Sequence, residues 1–322
     1  MKLSQKSSAL GKAYVLAIGA ANMDIAGSSA HLLAAGDSTP GRVRCAAGGV
    51  ARNVAENLAR LGHEVYLLSA VGADLHGRSL LESTHGAGVD VGGCWVLGDA
   101  VTSSYLSLHG PDGDMVAAVN DMSILDRITP ERLAACAERV ANAAALLLDC
   151  NLSEAALEWL FTHAKNVPVF VDPVSAFKCR RLLPWLGHIH TLKANRLEAQ
   201  ALWGQTVQTD AAVEAAARWL HAQGVPHVVL SLGEQGVYWS AQGGSAKSGN
   251  SGWQAAMPVT VVNATGAGDA LMAGLLHGHL QGMPLKWSVH FALACSALTL
   301  TATQANHPNL SVATVQQLTG NS

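Results

Sequence analysis

One carboxylate stands directly behind a glycine-rich turn in the segment VVNATGAGDALMAG. Asp269 follows Gly266, Ala267 and Gly268, where an apolar strand-like pattern changes into a helical pattern of small residues. Glycines let the backbone turn tightly and expose its N–H groups at a helix start, where the helix dipole also favours negative charge. An aspartate beside such an anion cradle can take the proton from a hydroxyl that attacks phosphorus. The alternative is an ordinary aspartate in the first turn of a helix, and this segment alone fits both.

A second glycine-containing turn, SLGEQG, follows an apolar run. Ser231, Gly233 and Gly236 supply a hydroxyl and flexible backbone that could hold a second set of phosphate oxygens, although Gly-x-x-Gly turns are frequent in proteins. In LKANRLEAQ, Asn195 and Glu198 lie one helical turn apart. This pair could hold Mg²⁺ and its waters near phosphate, or it could form the capping box of a helix, which the spacing alone favours.

The amino-terminal half contributes a glycine pair at another helix start. Gly48 and Gly49 precede a helical pattern in which Asn53 comes one turn later. Backbone and amide groups in such a place can hydrogen-bond to the hydroxyls of a sugar.

These residues must be positioned by alternating strands and helices. Apolar runs predict strands near 14–20, 65–70, 145–150, 167–172, 189–192 and 227–232, and helical patterns predict helices near 50–61, 129–143, 153–164, 195–203, 209–223, 269–281 and 286–301. This alternation predicts an α/β fold with a mainly parallel sheet covered on both faces. Ligands of such sheets bind beyond the carboxyl ends of the strands.

Two segments, at about 24–47 and 94–120, give strand patterns with no helix between them. In SSYLSLHGPDGDMVAAVN, the Pro-Asp-Gly-Asp sequence lies between two strand patterns, as in a hairpin. We expect a small antiparallel sheet beside the main one. The sequence contains no linker or repeat, so residues 1–322 are expected to form a single domain with these two segments inserted in it.

Composition excludes several classes of protein. The formal net charge is −3 and the lysines and arginines are scattered, which argues against binding to nucleic acid or to a membrane surface and favours small-molecule partners. The start, MKLSQKSSALGK, is polar and resembles no secretion signal, and no uncharged run reaches the ~20 residues of a membrane helix.

Cysteine and histidine spacing indicates neither disulfides nor a metal centre. The six cysteines form no C-x-x-C pair, which predicts reduced thiols and a cytoplasmic location. The pairs His188/His190 and His277/His279 are more simply explained as surface or core histidines than as metal ligands.

Together, the two glycine-rich segments resemble the signatures of the ribokinase-like (PfkB) family of sugar and nucleoside kinases. Both are present in the family's order and separation, and the resemblance runs from about Tyr14 to about Ser311. It implies a three-layer α/β/α fold with a small antiparallel β lid, a kinase that uses ATP and Mg²⁺, and a homodimer that pairs through its lids.

The resemblance also implies roles for individual positions. Asp269 is expected to be the catalytic base, and Gly266, Ala267 and Gly268 to form the anion hole. Glu198 is expected to hold Mg²⁺. The remaining expected contacts are with ATP, through Asn195, Ser231, Gly233, Gly236 and Thr265, and with the sugar, through Asn22, Asp24, Gly48, Gly49 and Asn53.

Two departures from the family pattern affect these expectations. Asn263 stands where most members have an aspartate that helps to hold a monovalent cation, and TATQANHPNL lacks the usual Lys-Gly-Ala pattern, so a K⁺ site is in doubt. Asn151 occupies about the place of a sugar-contacting glutamate, which implies a different grip on the substrate.

Within the family, segments such as PGRVRCAAGGVARNVAENLARLG, VDPVSAFKC and NATGAGDALMAG are most similar to members that phosphorylate the 5′-hydroxyl of pseudouridine. Pseudouridine carries an additional N1–H donor, for which Ser103, Asn120 and Asp121 are candidate partners; each of them fits an exposed strand or turn residue equally well. The alternatives are kinases of ribose, adenosine or another nucleoside, or a non-catalytic nucleoside-binding protein. Neither the Gly-x-Gly-x-x-Gly turn of a dehydrogenase nor a P-loop is present.

Overall fold

The computed structural model describes residues 13–242 and 249–320, so the polar amino-terminal segment analysed above lies outside the described residues. The described strands, in chain order, are β1 (Tyr14–Ile18), β2 (Asn22–Ser28), β3 (Arg42–Gly48), β4 (Glu64–Leu68), β5 (Ala70–Gly72), β6 (Trp95–Leu97), β7 (Ser104–His109), β8 (Met115–Asp121), β9 (Ala145–Asp149), β10 (Val169–Asp172), β11 (Thr191–Asn195), β12 (His227–Ser231), β13 (Val237–Ala241) and β14 (Ser251–Gln254).

The described α-helices are α1 (Val50–Arg60), α2 (Leu75–Gly86), α3 (Pro130–Ala134), α4 (Ala137–Ala141), α5 (Glu154–His163), α6 (Arg196–Trp203), α7 (Asp210–Ala222), α8 (Ala267–Leu280), α9 (Leu285–Leu300) and α10 (Val312–Thr319). Three 3-10 helices cover Ser123–Arg127, Lys178–His188 and Gly233–Gln235.

The main sheet has eight strands in the order β14-β13-β12-β11-β10-β9-β1-β4. The strands from β12 to β4 are all parallel, and β13 and β14 add an antiparallel edge. The chain leaves β1 toward β4 on one side and later returns to β9 on the other. The carboxyl ends of β1 and β9 therefore form the topological switch point at which parallel sheets bind ligands.

Alternating side chains of the sheet feed two separate cores. Leu16 and Leu146 belong to the core that also contains residues of α5, α6 and α7, whereas Val15 and Leu147 belong to the core that contains residues of α1, α8 and α9. Successive residues of a strand point to opposite faces, so these buried runs require a helical layer on each side. The predicted three-layer α/β/α architecture is confirmed.

A second sheet, the lid, consists of β3-β2-β7-β8. Its β2–β3 and β7–β8 pairings are antiparallel, including the predicted hairpin, and a parallel β2–β7 pairing joins them. β6, at the start of the second predicted segment, pairs with β5 in a separate two-stranded sheet. Register and alternation divide the lid into two faces. One face carries Asp24, Tyr105 and Asn120, and the other carries Cys45 and apolar residues such as Leu106 and Val119, with Ser104 and Asp121 at its end.

Some predicted elements were wrong or missed. The single helix predicted over 129–143 is two five-residue helices, α3 and α4, separated by a turn at Ala135 and Cys136. Helix α2 escaped prediction because it buries only Gly77, Leu80 and Thr84. Helix α8 starts at Ala267, two residues before the predicted start.

Candidate active site

The switch point is built around a buried aspartate that the sequence analysis missed. Asp149 ends β9, and its Oδ2 accepts the N–H groups of Ala20 (2.8 Å) and Ala51 (3.0 Å), while Oδ1 accepts the N–H of Asn151 (2.9 Å). A Cβ at Gly19 would come within 2.4 Å of this carboxylate. One side chain thus fixes the end of β1, the start of α1 and the loop after β9. The available signal was an acid ending the apolar run LLLD.

The glycine-rich turn and Asp269 lie at the start of α8. Gly266 precedes α8 in the left-handed conformation, with φ 84°. A Cβ there would lie 1.9 Å from the carbonyl oxygen of Ala305, so only glycine fits. Asp269 lies in the first turn of α8 and is 9% exposed. The exposed N–H groups of this turn and the carboxylate therefore occupy the same helix end.

Asp269 receives a hydrogen bond from Asn53 of α1, whose Nδ2 lies 2.8 Å from its Oδ2. Burial raises the pKa of Asp269 to about 7, helped by repulsion from Asp172 and, more weakly, from Asp149. Attraction to Lys193 and the Asn53 hydrogen bond oppose this rise. A carboxyl group whose pKa lies near neutrality suits a general base at physiological pH.

Lys193 is a second functional side chain that sequence reasoning missed. It lies on β11 and its Nζ is 2.6 Å from Oδ2 of Asp172, with both side chains buried. Burial alone lowers the pKa of an ammonium group, but Asp172, Glu198 and Asp269 outweigh it and raise the pKa of Lys193. A Cβ at Gly268 would lie 3.0 Å from this Nζ. The turn formed by Gly266–Gly268, here called the anion turn, therefore lies beside a buried positive charge. The only sign of this charge in the sequence was the single lysine of LKAN.

Asn195 and Glu198 form the capping box of α6, the alternative favoured by their spacing. Oδ1 of Asn195 accepts the N–H of Glu198 (2.9 Å), and Oε2 of Glu198 accepts the N–H of Asn195 (2.7 Å). Burial raises the pKa of Glu198, and repulsion from Asp172 adds to this rise. Within residues 13–242 and 249–320, no three His, Cys, Asp or Glu side chains form a group that could hold a metal ion. A role of Glu198 toward Mg²⁺ stays a prediction.

The SLGEQG turn lies beside this cap. Ser231 ends β12 and pairs in register with Asn195 of β11, so both residues reach the same edge of the sheet. Gly233 and Gly236 both have positive φ angles, and a Cβ at Gly236 would lie 2.1 Å from the carbonyl oxygen of Gln254. Gly236 therefore has a packing role whatever else the turn binds.

The predicted sugar-binding residues meet where the lid joins the main sheet. Asn22 donates to Oδ1 of Asp24 (2.6 Å), and a Cβ at Gly48 would lie 2.2 Å from the Asp24 carboxylate. Gly49 has φ 102°, and a Cβ there would lie 2.4 Å from the carbonyl oxygen of Ala20. The glycine pair thus lets β3 and the start of α1 approach Asp24 and β1 closely.

Of the three candidate partners for a base, Ser103 has the most distinctive environment. It is 1% exposed, and its hydroxyl has no hydrogen-bond partner among the described residues. Asn120 is exposed on β8 and shares a row of the lid with Tyr105 and Asp24. Asp121 already accepts hydrogen bonds from the N–H and hydroxyl of Ser123.

Asn151 follows β9 and is buried next to the switch point. Lys178 donates to its Oδ1 at 2.5 Å. Desolvation lowers the pKa of Lys178, although Asp149 opposes the effect. The amide predicted to contact substrate is therefore held by a half-buried ammonium group that the sequence analysis did not identify.

The turn before the anion cradle is organised by Asn263. Its Oδ1 accepts the N–H of Thr265 (2.9 Å), and its Nδ2 donates to the carbonyl oxygen of Thr303 (3.3 Å). The turn containing Thr265 is therefore tied to the loop after α9.

None of the helices that the structure describes is long and apolar enough to cross a membrane.

Comparisons with known proteins show the family to which the chain belongs. The pfkB family carbohydrate kinase profile matches residues 12–312. The chain is 48% identical to the pseudouridine kinase of Escherichia coli (strain K12), over 96% of this chain and 97% of that one.

Solved structures share the fold over nearly the whole chain. A carbohydrate kinase from Agrobacterium tumefaciens superposes with a TM-score of 0.83 at 30% identity, covering 96% of this chain and 97% of the other. Arabidopsis thaliana ribokinase, complexed with ribose and ATP, gives a TM-score of 0.83 at 24% identity, covering 95% and 98%. The fold is ribokinase-like, and the chain belongs to the pfkB family of carbohydrate kinases.

Proposed function

We propose that this kinase transfers the γ-phosphoryl group of ATP to the 5′-hydroxyl of pseudouridine. The observation that carries the proposal is Asp269, a buried carboxylate at the start of α8, oriented by Asn53 and placed directly behind an N–H-lined turn. The identity to a pseudouridine kinase over nearly the full chain supports the choice of nucleoside.

In the proposed reaction Asp269 accepts the proton of the 5′-hydroxyl. The hydroxyl oxygen forms a bond to the γ-phosphorus as the bond from that phosphorus to the β–γ bridging oxygen breaks, and ADP leaves with the bonding electrons. The N–H groups of Gly266–Gly268 and the Lys193 ammonium stabilise charge on the transferred group. Lys193 suits this role because the neighbouring carboxylates raise its pKa, which keeps it charged, and because its Nζ lies beside Gly268.

ATP is proposed to lie across the ends of β11 and β12, with its phosphates near Ser231–Gly236 and Gly266–Gly268. Asn195 and Ser231 are neighbours there. Mg²⁺ fits this donor set because Glu198 is a buried acid whose pKa is raised by burial and by Asp172, and a cation would relieve that repulsion. Glu198 would hold the ion through water, and the ion would supply charge neutralisation of the phosphates.

Asn263 is a neutral residue whose amide already donates to Thr303, so the proposal includes no K⁺. The six cysteines are free thiols, which together with the use of ATP supports a cytoplasmic location.

The nucleoside is proposed to lie between the lid and the switch point. Its ribose would contact Asp24 and Asn53, with Asn22, Gly48, Gly49 and Asn151 shaping the site. Pseudouridine differs from uridine in an additional N1–H. The unpartnered, buried hydroxyl of Ser103 is our candidate acceptor for that N–H, and Asn120 is a second base contact on the lid.

A competition assay with purified protein, ATP and Mg²⁺ against pseudouridine, uridine, adenosine and ribose tests the assignment. A buried acceptor left unpaired by uridine costs ~1–3 kcal/mol, so kcat/KM for pseudouridine is expected to exceed that for uridine by about tenfold or more. The Ser103→Ala variant should narrow this ratio, and Ser104→Ala, one residue along and thus on the opposite face of the lid, should leave it unchanged. Equal use of uridine and pseudouridine, or a preference for adenosine or ribose, would overturn the assignment of pseudouridine as substrate. The assignment of kinase activity would stand.

A further inference from the structure

Arg52 lies inside the protein next to the candidate active site, with only 4% of its side chain exposed. Its Nη1 donates to Oδ1 of Asn53 (3.0 Å) and to Oδ1 of Asn306 (2.9 Å). Its Nε donates to the hydroxyl of Thr84 (3.1 Å), and its Nη2 forms an ion pair with Glu56. The guanidinium group is thus held from several sides, by α1, by α2 and by the loop after α9.

The bond to Asn53 determines which way that amide points. An asparagine side chain presents an acceptor on one side and two donors on the other. Because Arg52 can only donate, it binds the oxygen, and the NH₂ group is directed at Asp269, 2.8 Å away. The flipped amide would set its oxygen against the carboxylate and its NH₂ against the guanidinium, so both contacts would become repulsive.

Asn306, in the loop after α9, also holds the segment of α1 that carries Asn53. Its Nδ2 donates to the backbone oxygen of Asn53 (2.8 Å) and to Oδ1 of Asn57 (2.9 Å). The neighbouring Ala305 supplies the carbonyl that excludes a side chain at Gly266. The loop after α9 therefore contacts both the anion turn and the helix that carries Asn53.

We propose that Arg52 is a positioning residue, which holds the Asn53 amide with its NH₂ toward Asp269 and so keeps that carboxylate ionised and oriented. Only the final consequence, proton abstraction from a nucleoside, rests on the proposed function. The orientation of the Asn53 amide is a property of the protein without substrate.

Several charged groups act on Asp269, and the test must separate them. Asp172 and Asp149 repel it from β10 and β9, and Lys193 attracts it from β11. Arg52 and Asp269 also attract each other directly. A loss of Arg52 could therefore act through the Asn53 amide or through charge alone.

The experiment is a ¹³C-carboxyl NMR titration of Asp269 in ¹³C-aspartate-labelled protein, with the signal identified by its absence in Asp269→Asn. It compares wild type, Arg52→Met, Asn53→Ala and the double variant. Arg60→Met is the matched control, because Arg60 also binds Glu56 (2.9 and 2.7 Å) but not Asn53. Arg52→Met leaves Glu56 paired with Arg60. Should Arg52→Met not fold, Arg52→Lys carries the test, since one ammonium cannot replace the fork of donors.

Arg52→Met is expected to raise the Asp269 midpoint by about one pH unit, the equivalent of one lost hydrogen bond to a charged group. In the Asn53→Ala background the same change should raise it by much less, and Arg60→Met should leave it unchanged. The acid limb of kcat/KM should move by the same amounts. An equal shift with and without Asn53, or none at all, overturns the proposal. A protein that shows the shifts but phosphorylates no nucleoside overturns the proposed function and leaves the positioning role intact.

Discussion

Asp269 is the residue on which chemistry at neutral pH depends. Its carboxyl is buried, its pKa is raised to about 7 by that burial and by Asp172, and Asn53 donates to it at 2.8 Å. A base must be deprotonated to accept a proton. Activity is therefore expected to be lost as the pH falls through this value.

We predict that kcat/KM of the wild-type protein falls below about pH 7, and that Asp269→Asn lowers kcat by about 10²-fold or more while the nucleoside Kd changes only a few-fold. The reason is that a base contributes to the transition state far more than to ground-state binding. Steady-state kinetics between pH 5.5 and 8.5, with calorimetric binding of pseudouridine, make the measurement. Near-normal turnover of the variant would show that Asp269 is not the base.

Individual site residues could be predicted from the sequence where they belong to a recognisable motif, and not where they stand outside one. Asp269, Asn53 and the glycines stand in patterned segments. Asp149 and Lys193 are single residues whose roles come from burial beside groups distant in the chain, which no local spacing reveals. The capping box of Asn195 and Glu198, which their spacing favoured, is present in the structure, and the role of Glu198 toward Mg²⁺ stays a prediction.

At the scale of elements, the anion turn depends on how α8 meets the loop after α9. Gly266 has φ 84°, and its missing Cβ leaves the space that the Ala305 carbonyl fills. The turn must therefore be rebuilt if a side chain is introduced. Gly282, just after α8, also has a positive φ of 67°, but a Cβ there would meet nothing within 4 Å.

We predict that Gly266→Ala lowers kcat by at least about tenfold and also lowers Tm. Gly282→Ala should keep a normal kcat and lower Tm only modestly, because its sole effect is to place an alanine in the left-handed conformation. The pair separates steric displacement of the turn from backbone strain alone. Thermal unfolding and kinetics of both variants provide the comparison. Equal effects on kcat would contradict a special role for the turn.

The elements themselves were predictable where the pattern was strong. Parallel strands are buried on both faces and appear as continuous apolar runs, and the sheet formed from them as expected. Helix α2 escaped because it buries only three residues, and β14 because it is a four-residue strand with no fully buried position. β13 was also missed, although its residues VYWS are buried. The break between α3 and α4 falls at Ala135 and Cys136, where no glycine or proline marks it in the sequence.

At the scale of the whole molecule, the lid has one face that carries Asp24, Tyr105 and Asn120 and an outer face on which several apolar side chains are exposed to solvent. On the outer face Val43 is 72%, Leu106 is 42% and Val119 is 69% exposed. Exposed apolar clusters of this kind mark interaction surfaces. We propose a second copy of this chain as the partner, paired lid to lid.

We predict that the purified protein is a dimer and that the Leu106→Glu/Val119→Lys double variant is a monomer in analytical ultracentrifugation, because charges would be buried in the apolar contact. The control is Leu318→Lys, which charges an exposed leucine of α10 outside the lid and should stay dimeric. A wild-type monomer at micromolar concentration, or a dimer that survives the double variant, would rule out this interface.

Cys45 provides a natural labelling site on the lid. Cys45 is the exposed thiol among the six cysteines, since Cys150, Cys179 and Cys295 are buried and Cys94 and Cys136 are only partly accessible. It lies on the apolar face of the lid, opposite Ile25. A fluorophore attached there would report whether that face is open or covered, and it would do so without any engineered cysteine.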